Sequence, residues 1–513
     1  MLLRPALPIY LLFIYLSFNT AAVAEDFSFL GMSFPNSTTQ EITTILNAKQ
    51  NSLLARANFE YRADDVNALY KTNNYAPLWI ENSQSEKNIA DVLALLSNAA
   101  AQGLNPDDYS VNTLQQKLPL VQLLKPESFV DLALFDTALT VSLTRYLHDL
   151  HYGRVNPHSL NFNLKLRTQK TLDLPKLIQT ALLEGNVSQL ASKVEPNLPH
   201  YQKLRSALAT YREPIVNPPQ TEQIEEPVKK SKTKQTVNYS ERITKIELAM
   251  ERLRWLPEIS AAQSIIVNIP SFQLWGMGAN GEELNLNVVV GKSAKTPTPI
   301  IMADMKFVEF MPYWNVPPSI LNKEILPQLN NNPDYLSEQN MEVVSLKGGG
   351  MRVRQRPGGK NALGRIKFIF PNKEGVYLHD TPSKSLFGRL RRDFSHGCVR
   401  VQNPSVLANF VLKNQEGWTQ ERIDTTLSSN THRQISLSTI IPVIFFYSTA
   451  SYEQGDKLVF YNDIYGHDAR LLAALTKVSD VPDSALIHKE PEIMPHESLP
   501  TEEIPSFSEQ SPV

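Results

Sequence analysis

The stretch Ser395-His396-Gly397-Cys398-Val399-Arg400 holds the single cysteine among 513 residues. Val376-Tyr377-Leu378-His379-Asp380 precedes it, with the fifteen residues 380–394 between His379 and Ser395. Exported chains ordinarily pair their cysteines or have none, so a lone thiol beside a histidine reads as a retained nucleophile. A free thiol titrates near pH 8.5, at about the value of model peptides, and is mostly protonated at neutral pH. An imidazole within hydrogen-bond reach can take that proton and leave an activated thiolate. His379 and His396 are the two rings available. Gly397 lets the backbone N–H groups around Cys398 point at a developing oxyanion. Tyr377 and His379 stand two apart on an expected strand and so share a face. The competing reading is zinc held by His379, His396 and Cys398. A structural zinc site wants four closely spaced ligands, which one cysteine in the whole chain argues against.

Export is what makes the lone thiol informative. Arg4 is followed by an apolar run from Ala6 to Phe18, then Ala22-Val23-Ala24, then Glu25 and Asp26. A charged start, a short apolar core and a small-residue site predict a signal peptide over 1–24, cleaved after Ala24, and a periplasmic product. The alternative is a retained anchor, but the run falls short of the about 20 residues a membrane span needs. No second long apolar run follows. A hydrophobic fraction of 42% supports real cores. A net charge of -2 gives no electrostatic ground for binding nucleic acid.

Further along the chain, residues 25–212 read as a helical scaffold domain. Leu132, Phe135, Leu139, Leu143, Tyr146 and Leu150 recur at helical spacing, with Gly153 and Pro157 as stop signals; Ile89, Val92, Leu93, Leu96 and Ala99 do the same upstream. Such stripes are core faces first. Residues 213–238, with Pro214, Pro218, Pro219, Pro227 and a glutamate run ahead of Lys229, Lys230, Lys232 and Lys234, read as a disordered linker. Tyr239 to Trp255 reads as one more helix. After it the pattern turns to strands: Ser264–Ile269 and Leu284–Val290 around an Asn280-Gly281 hairpin turn, then Gly375–Leu378, Ile440–Thr449 and Lys457–Asn462. Residues from about 310 to 365 read as an irregular insert, with Trp314, Tyr335 and the Gly348-Gly349-Gly350 run, in the place of a lid or substrate loop. A β-rich catalytic domain over 239–475 and a disordered tail over 476–513 complete the expected organisation. The fold class expected is α+β and multidomain.

A histidine, a gap, then Ser-His-Gly-Cys, an apolar residue and Arg resembles the signature of the L,D-transpeptidases with the YkuD-type catalytic domain. His379, Ser395, His396, Gly397, Cys398, Val399 and Arg400 match it element by element. Val288-Val289-Val290-Gly291-Lys292 with Thr296-Pro297-Thr298-Pro299 is similar to the family's early strand and loop. Asn361 to Phe368 and Phe370-Pro371-Asn372 resemble its approach to the active site. Leu378-His379-Asp380-Thr381-Pro382, Leu386-Phe387, Gly103-Leu104-Asn105 with Tyr109, and Gly153-Arg154-Val155-Asn156-Pro157 resemble the large, scaffold-bearing YcbB-like subgroup. Two departures stand out. The 213–238 linker lies where that subgroup carries a small peptidoglycan-binding helical module. Met311 stands before Pro312 where the family tends to show Asn.

The resemblance implies a helical scaffold joined to a mixed β-sandwich. It implies Cys398 as nucleophile, His379 as the general base, held by a neighbouring backbone carbonyl, and His396 in the acceptor path or polarising the site. Ser395 and Gly397 would shape the turn, Arg400 would hold loops or a substrate carboxylate, and Tyr377 would donate to the substrate carbonyl or pack. The implied reaction attacks the carbonyl of the third residue of a peptidoglycan tetrapeptide stem, releases D-alanine, and passes the thioester to a neighbouring stem as a 3→3 cross-link. No cofactor is implied. Acylation by carbapenems, a part in cell shape, and contact with other cell-wall synthesis proteins are further implications. Two alternatives stay open: an L,D-carboxypeptidase or amidase on the same fold, and a non-catalytic wall-binding scaffold.

Overall fold

The computed structural model describes residues 37–478, apart from 81–83, 124–127, 168–171, 214–237, 259–262, 294, 347–349 and 454–455. The expected signal peptide, the tail beyond Val478, Gly348, Gly349 and all but the flanks of the linker lie outside these residues. Among the described residues no helix is long and apolar enough to cross a membrane.

The N-terminal part is helical, as its periodicity predicts. Its central element is the helix Phe129–Tyr152, buried on every side. A helix so placed must satisfy its polar groups internally. Asp136 does this by accepting from the N–H groups of Leu78, Trp79 and Ile80 and from the Tyr70 hydroxyl, the last at 2.6 Å. Gly153 ends the helix with φ +83, where a Cβ would stand 2.8 Å from the Trp255 ring. Only glycine fits so close an approach with that backbone. Directly after it, the N–H groups of Arg154 and Val155 donate to Glu251 at 2.6 and 3.0 Å. Glu251 belongs to the helix Tyr239–Trp255, which also pairs Arg252 with Asp468 at 2.7 Å. This helix thus joins the scaffold to the β-rich part through buried charges.

Among the described residues fourteen strands follow: β1 Gln263–Asn268, β2 Gln273–Gly278, β3 Gly281–Gly291, β4 Ile301–Phe310, β5 Trp314–Asn315, β6 Met341–Leu346, β7 Gly350–Gln355, β8 Ile366–Ile369, β9 Leu378–His379, β10 Asp393–Ser395, β11 Val399–Val401, β12 Arg433–Phe446, β13 Ala450–Glu453 and β14 Lys457–Phe460. Nine form one mixed sheet in the order β10-β3-β11-β9-β8-β4-β12-β1-β2, and a further β2–β3 pairing closes it on itself. The helices Pro404–Leu412 and Gln420–Ser428 follow β11, and His467–Val478 ends the described chain.

Three sequence expectations need correction. The stretch 310–365 is not irregular. It forms a sheet in the order β5-β7-β6 with the short helices Pro318–Ile320, Leu326–Asn331 and Tyr335–Glu338. Val316, Ile325 and Val353 make its own small core, against which Trp314 and Tyr335 pack. The strand expected from Gly375 is only Leu378–His379, because Gly375 turns the chain at φ +63 and the Asn372 side chain bonds both N–H and C=O of Val376. The strand expected from Ile440 starts at Arg433. Its first half is mostly exposed, so it lacks the apolar run that marks its second half. Pro442 is tolerated inside it because the pairing with β1 begins only at Val443.

Candidate active site

β9 and β11 run parallel and adjacent, with Val399 opposite Leu378 and Arg400 opposite His379. Side chains alternate along a strand, so Tyr377, His379, Cys398 and Arg400 share one face. Cys398 is a diagonal neighbour of His379. The row continues outward, with Lys367 of β8 opposite His379 and Glu309 of β4 opposite Lys367. Lys367 lies 3.8 Å from Glu309 and 4.4 Å above the Tyr377 ring centroid.

His379 is buried, and its Nδ1 donates to the Asp380 carbonyl at 2.5 Å. That bond fixes the tautomer and leaves Nε2 as the basic nitrogen. Burial, then the positive charges of Arg400 and Lys367, hold its pKa down at about 3. The ring is therefore neutral at any physiological pH, with the Nε2 lone pair unprotonated. Asp380 is held in turn: it accepts from the N–H of Arg365 at 2.8 Å and of Thr381 at 2.7 Å, and it pairs with Lys384. Gly364, at φ +62, passes so close that a Cβ would stand 2.4 Å from the Asp380 carboxyl.

Cys398 is half-buried and free. Burial pushes its thiol up, while hydrogen bonds from the Tyr377 backbone and phenol and the charges of Lys367 and Arg400 act in the opposite direction. The sulfur is thus gripped by Tyr377. Ser395 closes the turn beneath it, with Oγ donating to the Cys398 carbonyl at 2.5 Å and accepting the Gly397 N–H at 3.3 Å. Gly397 adopts φ +109, a conformation that L side chains rarely reach. With the Gly397 N–H engaged, the Cys398 N–H is the nearer candidate donor for an oxyanion.

The structure thus brings Cys398, His379, Tyr377 and Arg400 together and builds the turn from Ser395 and Gly397. It does not add the His396 ring. That imidazole is exposed and bonds Glu324 of the insert at 2.8 Å. Only two of the three residues of the zinc reading therefore share a face. Glu324, Lys367 and Thr298 were not singled out by sequence. Lys367 and Thr298 stand inside stretches similar to the family but carry no chemical signature of their own. Glu324 reaches His396 across 72 positions, beyond any local pattern. Met311, the departure noted above, is buried with φ +46, in the left-handed region that Asn enters more readily.

A model of the L,D-transpeptidase catalytic domain, YkuD, matches residues 262–423, and a model of the scaffold domain matches residues 64–208. The chain thus carries an L,D-transpeptidase catalytic domain beside a scaffold domain. A Haemophilus influenzae protein named "Putative L,D-transpeptidase" is 28% identical over 421 residues, covering 79% of this chain and 78% of that protein. Solved structures match as well, two of them L,D-transpeptidases. The L,D-transpeptidase from Mycobacterium smegmatis has 14% identity, a TM-score of 0.20, and coverage of 36% of this chain and 58% of that one. Mycobacterium tuberculosis L,D-transpeptidase 1 has 10% identity, a TM-score of 0.17, and coverage of 36% and 60%. This chain spans less than two thirds of either solved chain, and neither likeness bears weight. The row from Glu309 to Arg400 and the Cys398 turn both fall within the matched catalytic domain.

Proposed function

We propose that the chain is a periplasmic L,D-transpeptidase that forms 3→3 peptidoglycan cross-links through a thioester on Cys398. The observation that carries this reading is the neutral His379 ring, its Nδ1 bound to Asp380, on the same sheet face as the one cysteine. Cys398 attacks the carbonyl of the third stem residue, and its proton passes to His379 Nε2. The C–N bond to the terminal D-alanine breaks, and that amine leaves with the proton from His379. An amine on the third residue of a second stem then attacks the thioester, giving the new amide and restoring the thiol. Arg400 and Lys367 supply positive charge beside the sulfur and fit a carboxylate of the stem. Cleavage of the segment 1–24 and a linker role for 213–238 belong to the same reading. So do donor and acceptor stems as the partners, and carbapenems as acylating inhibitors.

Intact-protein mass spectrometry after exposure to a disaccharide-tetrapeptide or a carbapenem tests it. The wild-type chain is expected to gain the mass of the acyl group, and Cys398→Ala to gain none. Products from labelled tetrapeptide muropeptides distinguish dimers, expected here, from the trimmed monomers of a carboxypeptidase.

A further inference from the structure

The turn that carries Cys398 is held from outside by the chain that follows β3. The Lys292 N–H and the Thr296 hydroxyl both donate to the Ser395 carbonyl at 3.0 Å. The Thr298 hydroxyl donates to the Gly397 carbonyl at 2.8 Å and accepts from the Gly291 N–H at 2.9 Å. The Thr298 N–H donates to the Tyr465 hydroxyl at 3.2 Å, and that hydroxyl donates to the Gly291 carbonyl at 2.6 Å. Thr298 is 1% exposed, so these bonds are not shared with water. Tyr465 is anchored in turn. Its N–H donates to the Tyr447 hydroxyl at 3.0 Å, and Tyr447 donates to Asp463 at 2.5 Å.

Gly397 has φ +109 and no side chain to limit its peptide plane. Something else must choose the orientation of the Gly397–Cys398 peptide. A trans peptide holds C=O and N–H antiparallel. Pinning the Gly397 oxygen on Thr298 therefore aims the Cys398 N–H to the opposite side. The geometry points to Thr298, backed by Tyr465, as a positioning residue that sets the Cys398 N–H as the oxyanion donor for acyl transfer. The inference rests on Cys398 being the nucleophile. In the step concerned, the sulfur bonds to the carbonyl carbon, the π electrons move to oxygen, and the thiol proton goes to His379. Thr298 exchanges no atom; it holds the donor that meets the new negative charge.

Two rates measured on the full-length chain test this. Acylation of Cys398 by a carbapenem and by a disaccharide-tetrapeptide builds an oxyanion; alkylation by iodoacetamide, a displacement at saturated carbon, does not. Since one oxyanion donor is worth about 10²–10³ in rate, misaiming it in Thr298→Val should slow acylation about 10- to 100-fold while alkylation stays within about twofold. Thr298→Ser keeps the hydroxyl and should restore acylation to within about threefold of wild type. Tyr465→Phe should fall between. If Thr298→Val does not fold, Tyr465→Phe with an unchanged melting temperature must still lose acylation selectively. Wild-type acylation in Thr298→Val, or equal slowing of both rates, overturns the proposal. A wild-type chain that is alkylated but never acylated overturns the nucleophile reading, and this one with it.

Discussion

Tyr377 is the residue whose place matters most beyond the motif. Its backbone and phenol both bond the Cys398 sulfur, and both bonds favour the thiolate. Tyr377→Phe removes one of them. A hydrogen bond to a charged group is worth about 1.5–3 kcal/mol, so acylation should slow about tenfold or more. The thiol should also titrate at higher pH, because a bond that lowers its pKa is gone. Alkylation rate against pH checks the direction; a curve that stays put or moves to lower pH contradicts this role. His379 should give no acid limb near pH 6.5, the ordinary value of about 6.5 being displaced to about 3. That His379 lies beside Cys398 was legible from their spacing. The Tyr377 grip was not, because it depends on strands 9 and 11 lying side by side.

The insert between β4 and β8 is an element with its own sheet and core, joined to the Cys398 turn through Glu324 and His396. Both partners are solvent-accessible, so the pair should be worth no more than about 1 kcal/mol. Glu324→Ala should therefore leave the melting temperature unchanged while amide exchange quickens over residues 318–331. Unchanged exchange would mean that the pair does not restrain the insert. Sequence marks this stretch off from its surroundings but misreads it as irregular, for an intelligible reason. Its strands are short, and many of their side chains are exposed because its core is only three buried residues deep. Without a second apolar face, strand alternation is faint. The Phe129–Tyr152 and Tyr239–Trp255 helices, by contrast, are long and deeply packed, and their periodicity reads directly.

Across the molecule, several histidines are buried in neutral form. Burial is the first cause for each: His379 and His467 are held down at about 3 and His200 at about 4. Each folded pKa lies below the unfolded value of about 6.5. Their contribution is complete above that value and is lost as pH falls toward the folded values, because the unfolded chain takes up protons that the folded one refuses. Asp136, raised by burial to about 6, works in the opposite sense, as do Asp108, Glu247 and Glu309, also raised by burial, while His148 and His151, lowered by burial, add to the histidine side, which alone extends to about pH 6.5. The melting temperature should therefore drop between pH 7 and pH 5, and His200→Gln should flatten that slope. A melting temperature that is constant over this range contradicts the account.

Residue order alone determined the helical and β-rich halves, the kind of catalytic domain, and the nearness of His379 to Cys398, because periodicity and motif spacing are local properties of a chain. Tertiary structure alone decided which side of the turn each peptide group faces, that the His396 ring pairs with Glu324, and that Thr298 holds the Gly397 carbonyl. Those outcomes depend on contacts between segments tens to hundreds of residues apart, whose directions exist only once the sheet has closed.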